Sequence, residues 1–151
     1  MTTHVNSIEE LQGLVGTHLG YSDYRTVTQE EVNLFAEATG DHQWIHVDPE
    51  RAAAGPFGHT IAHGYLTLSL IPVLVGGLMK VDGVTMGVNY GSNKVRFTSP
   101  VPVGSDVRAG ATLASVEEVP GGVQIAMDVV VEIRGSEKPA CVAQTISRLY
   151  L

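Results

Sequence analysis

Residues 61–79 read IAHGYLTLSLIPVLVGGLM and contain no Asp, Glu, Lys or Arg. A helix that crosses a bilayer needs about 20 consecutive apolar residues, whereas this stretch is interrupted by His63, Gly64 and Pro72. We therefore interpret 65–79 as a helix of a globular protein that is buried on nearly all sides. Pro72 predicts a kink in this helix, because proline lacks the backbone N–H that the helix interior requires.

The composition indicates one globular domain over residues 1–151. Apolar residues make up 44% of the chain and charged residues 17%, which is typical of a protein with a core of its own. The net charge of −7 argues against binding to nucleic acid or to an anionic membrane, since both require clustered Lys and Arg. The single cysteine, Cys141, cannot form an internal disulfide and is expected to be a small buried residue. The N-terminal residues lack a secretory pattern, so we expect a cytoplasmic protein.

Two capping boxes mark the starts of helices in the first third of the chain. Ser7–Glu10 predicts a helix over 7–15, and Thr28–Glu31 predicts one over 29–39. Gly40 follows the second helix in the position where a glycine commonly ends one. The residues after Gly40 are therefore expected to form a non-helical turn.

The second half of the chain changes to strand-forming residues. Four segments rich in Val, Ile, Thr and Tyr, separated by Gly and Pro turns, predict antiparallel strands at 84–97, 105–119, 122–134 and 139–150. With a short strand near Tyr24–Val27, they predict a sheet of about five strands with one face to cover. Only the helix at 65–79 is apolar enough to cover it, so we predict an α+β protein with a single hot-dog fold. Exposed sheet edges then favour a homodimer.

The stretch Thr39–Asp48, TGDHQWIHVD, combines ionisable side chains with large apolar ones. Asp41 and His46 are five residues apart across the expected turn, so that both can face one cavity. A carboxylate beside an imidazole can hold a water molecule and move its protons, and Trp44 and Ile45 are expected to keep bulk solvent out. The alternative is that Asp41 caps a local turn and His46 is a partly buried histidine with a satisfied hydrogen bond.

Histidine spacing also allows a metal site. His42 and His46, and likewise His59 and His63, are four residues apart, a spacing that can hold a metal on a helix. The motif HExxH is absent, because Gln43 and Thr60 follow the first histidine of each pair. We therefore expect no metal.

Gly64 is a candidate backbone donor for a substrate oxygen. It lies at the start of the apolar helix, where N–H groups have no partner within the helix, and a glycine permits close approach of a ligand. Ala62 and His63 precede Gly64 and are expected to lie beside the substrate. The alternative for Gly64 is that it only allows tight packing.

Two sequence blocks resemble the MaoC-like, (R)-specific enoyl-CoA hydratases. The first is FAEATGDHQWIH at Phe35–His46, followed by VDPERA, and the second is FGHTIAHG at Phe57–Gly64. The form Asp-His-Gln-Trp-Ile-His is similar to the nodulation-protein-N-like branch and to mycobacterial single-hot-dog hydratases. The likeness covers about 20–151.

The resemblance implies a hot-dog homodimer that reversibly adds water to a trans-2-enoyl-CoA to give an (R)-3-hydroxyacyl-CoA. It implies Asp41 and His46 as the catalytic pair, the N–H of Gly64 as the oxyanion donor, and neither a metal nor a prosthetic group. Many members have Asn-Pro where this chain has Gln43-Trp44, and some have a serine at the position of Pro72. These departures leave the catalytic pair in place but bear on substrate range.

Further substrate contacts are expected on the strand that follows the helix. Asn89 and Tyr90 are polar residues in a strand rich in valine, and are candidates to line the acyl or pantetheine channel. Lys94 and Arg96 alternate along the same strand and are candidates to bind the CoA phosphates. The alternative for all four is a solvated strand face.

Two other functions remain open on the sequence. A hot-dog acyl-CoA thioesterase would want a carboxylate on the central helix, and residues 64–79 contain none. A non-catalytic acyl-CoA-binding protein does not need Asp41 and His46, although it could retain them. Fold alone does not decide among these functions.

Overall fold

A computed structural model describes all residues, 1–151. Its elements in chain order are β1 (Thr3–Val5), α1 (Ile8–Gly13), β2 (His18–Tyr21), β3 (Arg25–Thr26), α2 (Gln29–Thr39), α3 (Trp44–Val47), α4 (Pro49–Ala53), α5 (Gly64–Val75), β4 (Met79–Val81), β5 (Met86–Arg96), β6 (Asp106–Val119), β7 (Gly122–Ile133) and β8 (Cys141–Tyr150). The predicted class, an antiparallel sheet packed on one apolar helix, is confirmed.

The main sheet has the strand order β2-β6-β7-β8-β5, and β3 also pairs with β6. All of its pairings are antiparallel. The four long strands were predicted to within a few residues, whereas β2 and the small parallel pair of β1 with β4 were not predicted. β5 pairs with β8, the most distant of the long strands in sequence, rather than with β6. The other edge of β5 has no strand partner.

The core lies between α5 and the inner face of this sheet. The buried residues of α5 are Leu66, Thr67, Leu70, Ile71 and Leu74. Fully burying a Leu or Ile side chain stabilises a fold by roughly 1.5–3 kcal/mol, so this row holds the helix on the sheet. The opposite side of α5 is open, with Tyr65 71% and Val73 62% exposed. The expectation of a helix covered on nearly all sides is therefore not met within one chain.

Local signals set most helix ends. The Thr28 hydroxyl accepts the N–H of Glu31 at 3.1 Å, and Gly40 follows α2 with a left-handed φ of 83°, so α2 matches its predicted bounds. α5 ends at Val75, short of the predicted Met79, because two glycines follow it. No helix in this structure is both long and apolar enough to span a bilayer.

The segment after Gly40 differs from its prediction. Trp44–Val47 forms one helical turn, α3, in which the N–H of Asp48 bonds the carbonyl of Trp44 at 3.1 Å. Asp48 then caps α4 by accepting the N–H of Arg51 at 3.1 Å. The expected non-helical turn is thus limited to residues 41–43, and α3 carries His46 towards the interior.

Candidate active site

Three ionisable side chains meet where α2, α3 and the start of α5 converge. Each of Asp41, His46 and His63 has a donor or acceptor atom within 4.8 Å of those of the other two. The left-handed Gly40 turns the chain after α2 and places Asp41 there. The structure therefore brings together Asp41 and His46, as the sequence predicted, and adds His63 to them.

The backbone fixes the tautomer of His46. This side chain is 7% exposed, and its Nδ1 lies 2.7 Å from the carbonyl oxygen of Ile61. Because a carbonyl oxygen can only accept, Nδ1 carries the proton, and Nε2 of the neutral ring is left as an acceptor. That is the state a general base requires.

A glutamine that the sequence did not single out holds α3 in place. Nε2 of Gln29 donates to the backbone oxygen of His46 at 2.8 Å. Oε1 of Gln29 accepts the hydroxyl of Thr60 at 2.7 Å. The first turn of α2 is thereby tied both to the catalytic turn and to the segment before α5.

His63 contacts both members of the pair. It is 2% exposed, and its Nε2 lies 3.0 Å from the backbone oxygen of Asp41, to which it can only donate. Its ring stacks on that of His46, with centroids 3.9 Å apart and planes 25° apart. Nδ1 of His63 is buried and has no hydrogen-bond partner. The ring of Phe35 packs against His63, with centroids 4.8 Å apart.

The Asp41 carboxylate is exposed and only partly used by the local turn. One of its oxygens accepts the N–H of Gln43 at a long 3.4 Å, and the other accepts no hydrogen bond from the protein. The alternative interpretation is thus correct about the local contacts: Asp41 caps a turn and His46 bonds backbone. Both residues still keep a free acceptor atom, which the alternative did not anticipate.

The helix start satisfies both interpretations of Gly64. The first hydrogen bond of α5 runs from Leu66 N–H to His63 at 3.1 Å, so the N–H groups of Gly64 and Tyr65 donate to no protein acceptor. A Cβ on Gly64 would lie 3.0 Å from a ring carbon of Phe97, so the glycine also permits close packing. Ala62 does not fit the substrate role expected of it, because its N–H bonds Val101 at 2.8 Å and its side chain is buried in the core.

Trp44, one of the two expected wall residues, packs against the neighbouring helix α4 and the turn that follows it. The Trp44 ring packs under the Arg51 guanidinium, 4.5 Å from the ring centroid, and a Cβ on Gly55 would lie 2.9 Å from it. Trp44 therefore packs α3 against α4, and Phe35 supplies an aromatic contact to His63.

A cavity of about 550 Å³ lies between α5 and the sheet. Its helix side is formed by Leu68, Ile71, Pro72 and Val75, and Asn89 is among its lining residues on the sheet side. Tyr90, expected to line the same channel, lies instead under the Arg148 guanidinium at 3.9 Å. Tyr90 lies at an irregularity of β5, where the pairing with β8 shifts register between Asn89 and Gly91.

The two histidine pairs whose spacing would allow a metal make other contacts in the structure. His42 is exposed and lies 3.6 Å from Glu37, and His59 makes only a contact with the carbonyl of Thr60 at 3.3 Å. The cluster of Asp41, His46 and His63 has the residue types of a metal site, but its two rings are nearly parallel. A metal must lie close to the plane of each imidazole that binds it, so stacked rings are poorly arranged to share one.

Residues 10–133 match the family model described as a MaoC like domain. This chain belongs to the MaoC-like domain family. It is 59% identical over 143 residues to 3-hydroxyacyl-thioester dehydratase Z of Mycobacterium tuberculosis, covering 94% of this chain and 95% of that protein. It is 46% identical over 147 residues to Nodulation protein N of Rhizobium meliloti, covering 95% and 91%.

The fold agrees with solved structures. An (R)-hydratase from A. caviae involved in PHA biosynthesis superposes with a TM-score of 0.73 at 25% identity, covering 89% of this chain and 96% of that one. The hot-dog fold, the family resemblance and the expected class of enzyme, a hydratase or dehydratase, are confirmed by these comparisons.

The two side chains expected to bind the CoA phosphates, Lys94 and Arg96, lie on β5 and do not line the cavity. Lys94 and Arg96 pair with Gln144 and Val142 of β8 and are exposed. Val95 between them packs against the core, so both cations face outward. Arg96 directly precedes Phe97, the residue that covers Gly64, so it lies at the catalytic end of the strand.

Cys141 is buried at the start of β8. Burial raises the pKa of its thiol, which disfavours the thiolate that a nucleophile requires. The expectation of a small buried residue is confirmed for this member of the family.

Proposed function

We propose that this protein catalyses the reversible, (R)-specific hydration of trans-2-enoyl-CoA to (R)-3-hydroxyacyl-CoA. One observation carries the proposal: Asp41 and His46 lie together in one cluster beside an open helix start, and each keeps an acceptor atom that no protein group uses. The names of the relatives, a 3-hydroxyacyl-thioester dehydratase and an (R)-hydratase, support the same chemistry.

A water molecule held between the Asp41 carboxylate and Nε2 of His46 loses a proton to one of them as its oxygen attacks Cβ of the enoyl thioester. The electron pair moves to the thioester oxygen, and Cα then takes a proton delivered by the pair. Because both groups lie on one side of the substrate, hydroxyl and proton are delivered from that side. When the thioester oxygen is held at Gly64, one face of the double bond is presented to the pair, and a single configuration at Cβ results.

The enolate-like oxygen needs a donor that is already in place. The N–H of Gly64 is open, and the positive end of α5 lies at the same point. Losing one such donor typically costs roughly 3–4 kcal/mol of transition-state stabilisation. Gly64 thus supplies electrostatic stabilisation while Asp41 and His46 move the protons.

The cavity along α5 is suited to hold the acyl chain. It begins at Leu68, one helical turn beyond Gly64, and extends to Gly76. Its volume of about 550 Å³ lies within the usual range for ligand pockets, roughly 300–1,000 Å³. Lys94 and Arg96 are the cations proposed to meet the CoA phosphates, and the reaction needs no metal or prosthetic group.

A homodimer is proposed to complete the fold. The outer edge of β5 has no partner, and it carries exposed Met86, Val88 and Tyr90. Unpaired edges are normally paired or protected in native proteins, and a second copy would also cover Tyr65 and Val73 of α5. Light scattering of the purified protein should give twice the chain mass, and the mass of a single chain would exclude the dimer.

The test is the loss of enoyl absorbance when the purified protein is mixed with crotonyl-CoA, with chiral analysis of the product. Wild type is run beside Asp41→Asn and His46→Gln, which retain size and polarity. Formation of the (R)-alcohol by wild type alone, with all three proteins folded by circular dichroism, supports the proposal. An inert wild type on short and medium enoyl-CoA chains would exclude it and leave an acyl-CoA binder. Release of free thiol would indicate a thioesterase instead.

A further inference from the structure

The sheet side of the cavity carries a row of polar side chains opposite an apolar helix. Four of them lie on the two neighbouring strands β5 and β8 and all line the cavity: Asn89, Ser92, Thr145 and Ser147. In the strand register Asn89 is the direct partner of Ser147, and Ser92 that of Thr145. We call these four residues the polar ladder.

The polar ladder has no partner within the chain. None of its four side chains makes a hydrogen bond to another protein group. In contrast, the outward-facing residues of the same strands are paired: Asn93 donates to Gln144 at 2.7 Å, and Arg148 donates to Gln124 at 3.0 Å. The polar ladder therefore keeps unused donors and acceptors, whereas Asn93 and Arg148 on the outer side use theirs.

An acyl chain that carries no oxygen beyond the thioester would fit this cavity poorly, because it cannot hydrogen-bond the polar ladder. It would displace water from the polar ladder and offer no hydrogen bond in return, and polar groups left unpaired in this way carry a desolvation penalty. The opposite wall would still pack well against methylene groups, because it is formed by Leu68, Ile71 and Pro72. The helix wall is thus apolar, whereas the sheet wall combines the polar ladder with the apolar side chains of Ile125, Met127 and Leu149.

We propose that the polar ladder selects acyl thioesters whose chain carries a hydroxyl, keto or ether oxygen beyond the reacting double bond. This inference rests on the hydratase function proposed above and names its substrate class. A site arranged to hydrogen-bond a substrate hydroxyl discriminates strongly against an analogue that lacks it. The ladder is therefore a specificity element and takes no part in proton transfer.

The experiment compares kcat/KM for a ten-carbon trans-2-enoyl-CoA with that for the same chain carrying one hydroxyl, placed in turn at several positions beyond the double bond. Wild type is expected to prefer at least one hydroxylated chain by about tenfold or more, as one well-placed hydrogen bond allows. Thr145→Val combined with Ser147→Ala should abolish the preference, mainly by raising kcat/KM for the enoyl-CoA that carries no hydroxyl. Thr112→Val, which changes a threonine outside the cavity lining, should retain it.

Activity on crotonyl-CoA separates a failure of the ladder inference from a failure of the hydratase function. If wild type hydrates crotonyl-CoA but shows no preference at any hydroxyl position, the ladder inference fails and the hydratase function stands. If wild type is inert on every enoyl-CoA, both fail. Loss of the oligomer in the double variant would show that the ladder serves an interface between copies, and that would also overturn the inference.

Discussion

The ring of His63 lies stacked on the ring of His46, with centroids 3.9 Å apart, while its Nε2 donates to the backbone oxygen of Asp41 at 3.0 Å. One buried side chain thus contacts both residues that we propose to move protons, and the proposed reaction needs no proton from either of its nitrogens. The sequence had placed His63 beside the substrate through its neighbour Gly64. The structure shows that His63 contacts both Asp41 and His46, and we propose that it acts as a positioning residue.

His63→Phe should retain an aromatic ring against His46 and lose the hydrogen bond to Asp41. We expect kcat to fall by about tenfold or more with little change in KM, because misplaced catalytic groups act on the chemical step. The unpaired carbonyl of Asp41 should also lower the free energy of unfolding by about 1–3 kcal/mol. Steady-state kinetics and urea denaturation check both effects.

His63→Gln is the matched control for that variant, since its amide can still donate to Asp41. It should recover part of kcat. A purely structural role predicts that kcat follows stability in both variants. Equal kcat in His63→Phe and wild type would contradict the positioning role.

Gly64→Ala tests whether packing or the open N–H matters more. The new Cβ would meet the Phe97 ring at 3.0 Å, and overpacking of this kind costs typically about 1–3 kcal/mol. The temperature of thermal unfolding should therefore fall. The value of kcat should also fall, because the methyl group crowds the approach of the substrate oxygen.

The double variant Gly64→Ala with Phe97→Leu separates the two effects. Removing the ring should restore much of the stability, while kcat should stay low if the N–H of Gly64 stabilises the developing oxyanion. Recovery of both to wild-type values would show that Gly64 serves packing alone.

Chelation should leave the activity unchanged. Stacked imidazoles are poorly arranged to share a metal, and the proposed chemistry uses only protons. Hydration of crotonyl-CoA is measured before and after prolonged dialysis against a strong chelator, with metal content determined in both samples. A loss of activity restored by one divalent cation would identify the cluster of Asp41, His46 and His63 as a metal site after all.

Cys141 should be unreactive in the native protein. Burial raises the pKa of its thiol in the fold, so the folded state holds this proton more tightly than the unfolded chain does. The associated stability is complete below the unfolded-state pKa and is lost as pH rises through the folded-state value. A thiol-reactive disulfide reagent at mildly alkaline pH should label the protein rapidly in urea and slowly without it. Rapid native labelling would show that the start of β8 opens readily.

Local sequence patterns were sufficient to predict those features whose determining contacts join residues only a few positions apart. Thr28 and Gly40 set both ends of α2 through hydrogen bonds and a left-handed turn. The short segment from Asp41 to His46 brings these two side chains together for the same reason. The helical turn α3 was missed because a single turn has too few residues to show a period.

The sequence by itself determined the strands, the apolar central helix and the closeness of Asp41 to His46, since alternation, capping and short spacing are properties of contiguous residues. Only the tertiary structure decided that β5 pairs with β8, that Gln29 holds His46, and that His63 reaches back over 22 residues to Asp41. It also decided that Tyr90 faces away from the cavity while Asn89 lines it. These contacts join residues far apart in the chain, and such contacts are set by how the sheet and α5 pack together, which no local pattern records.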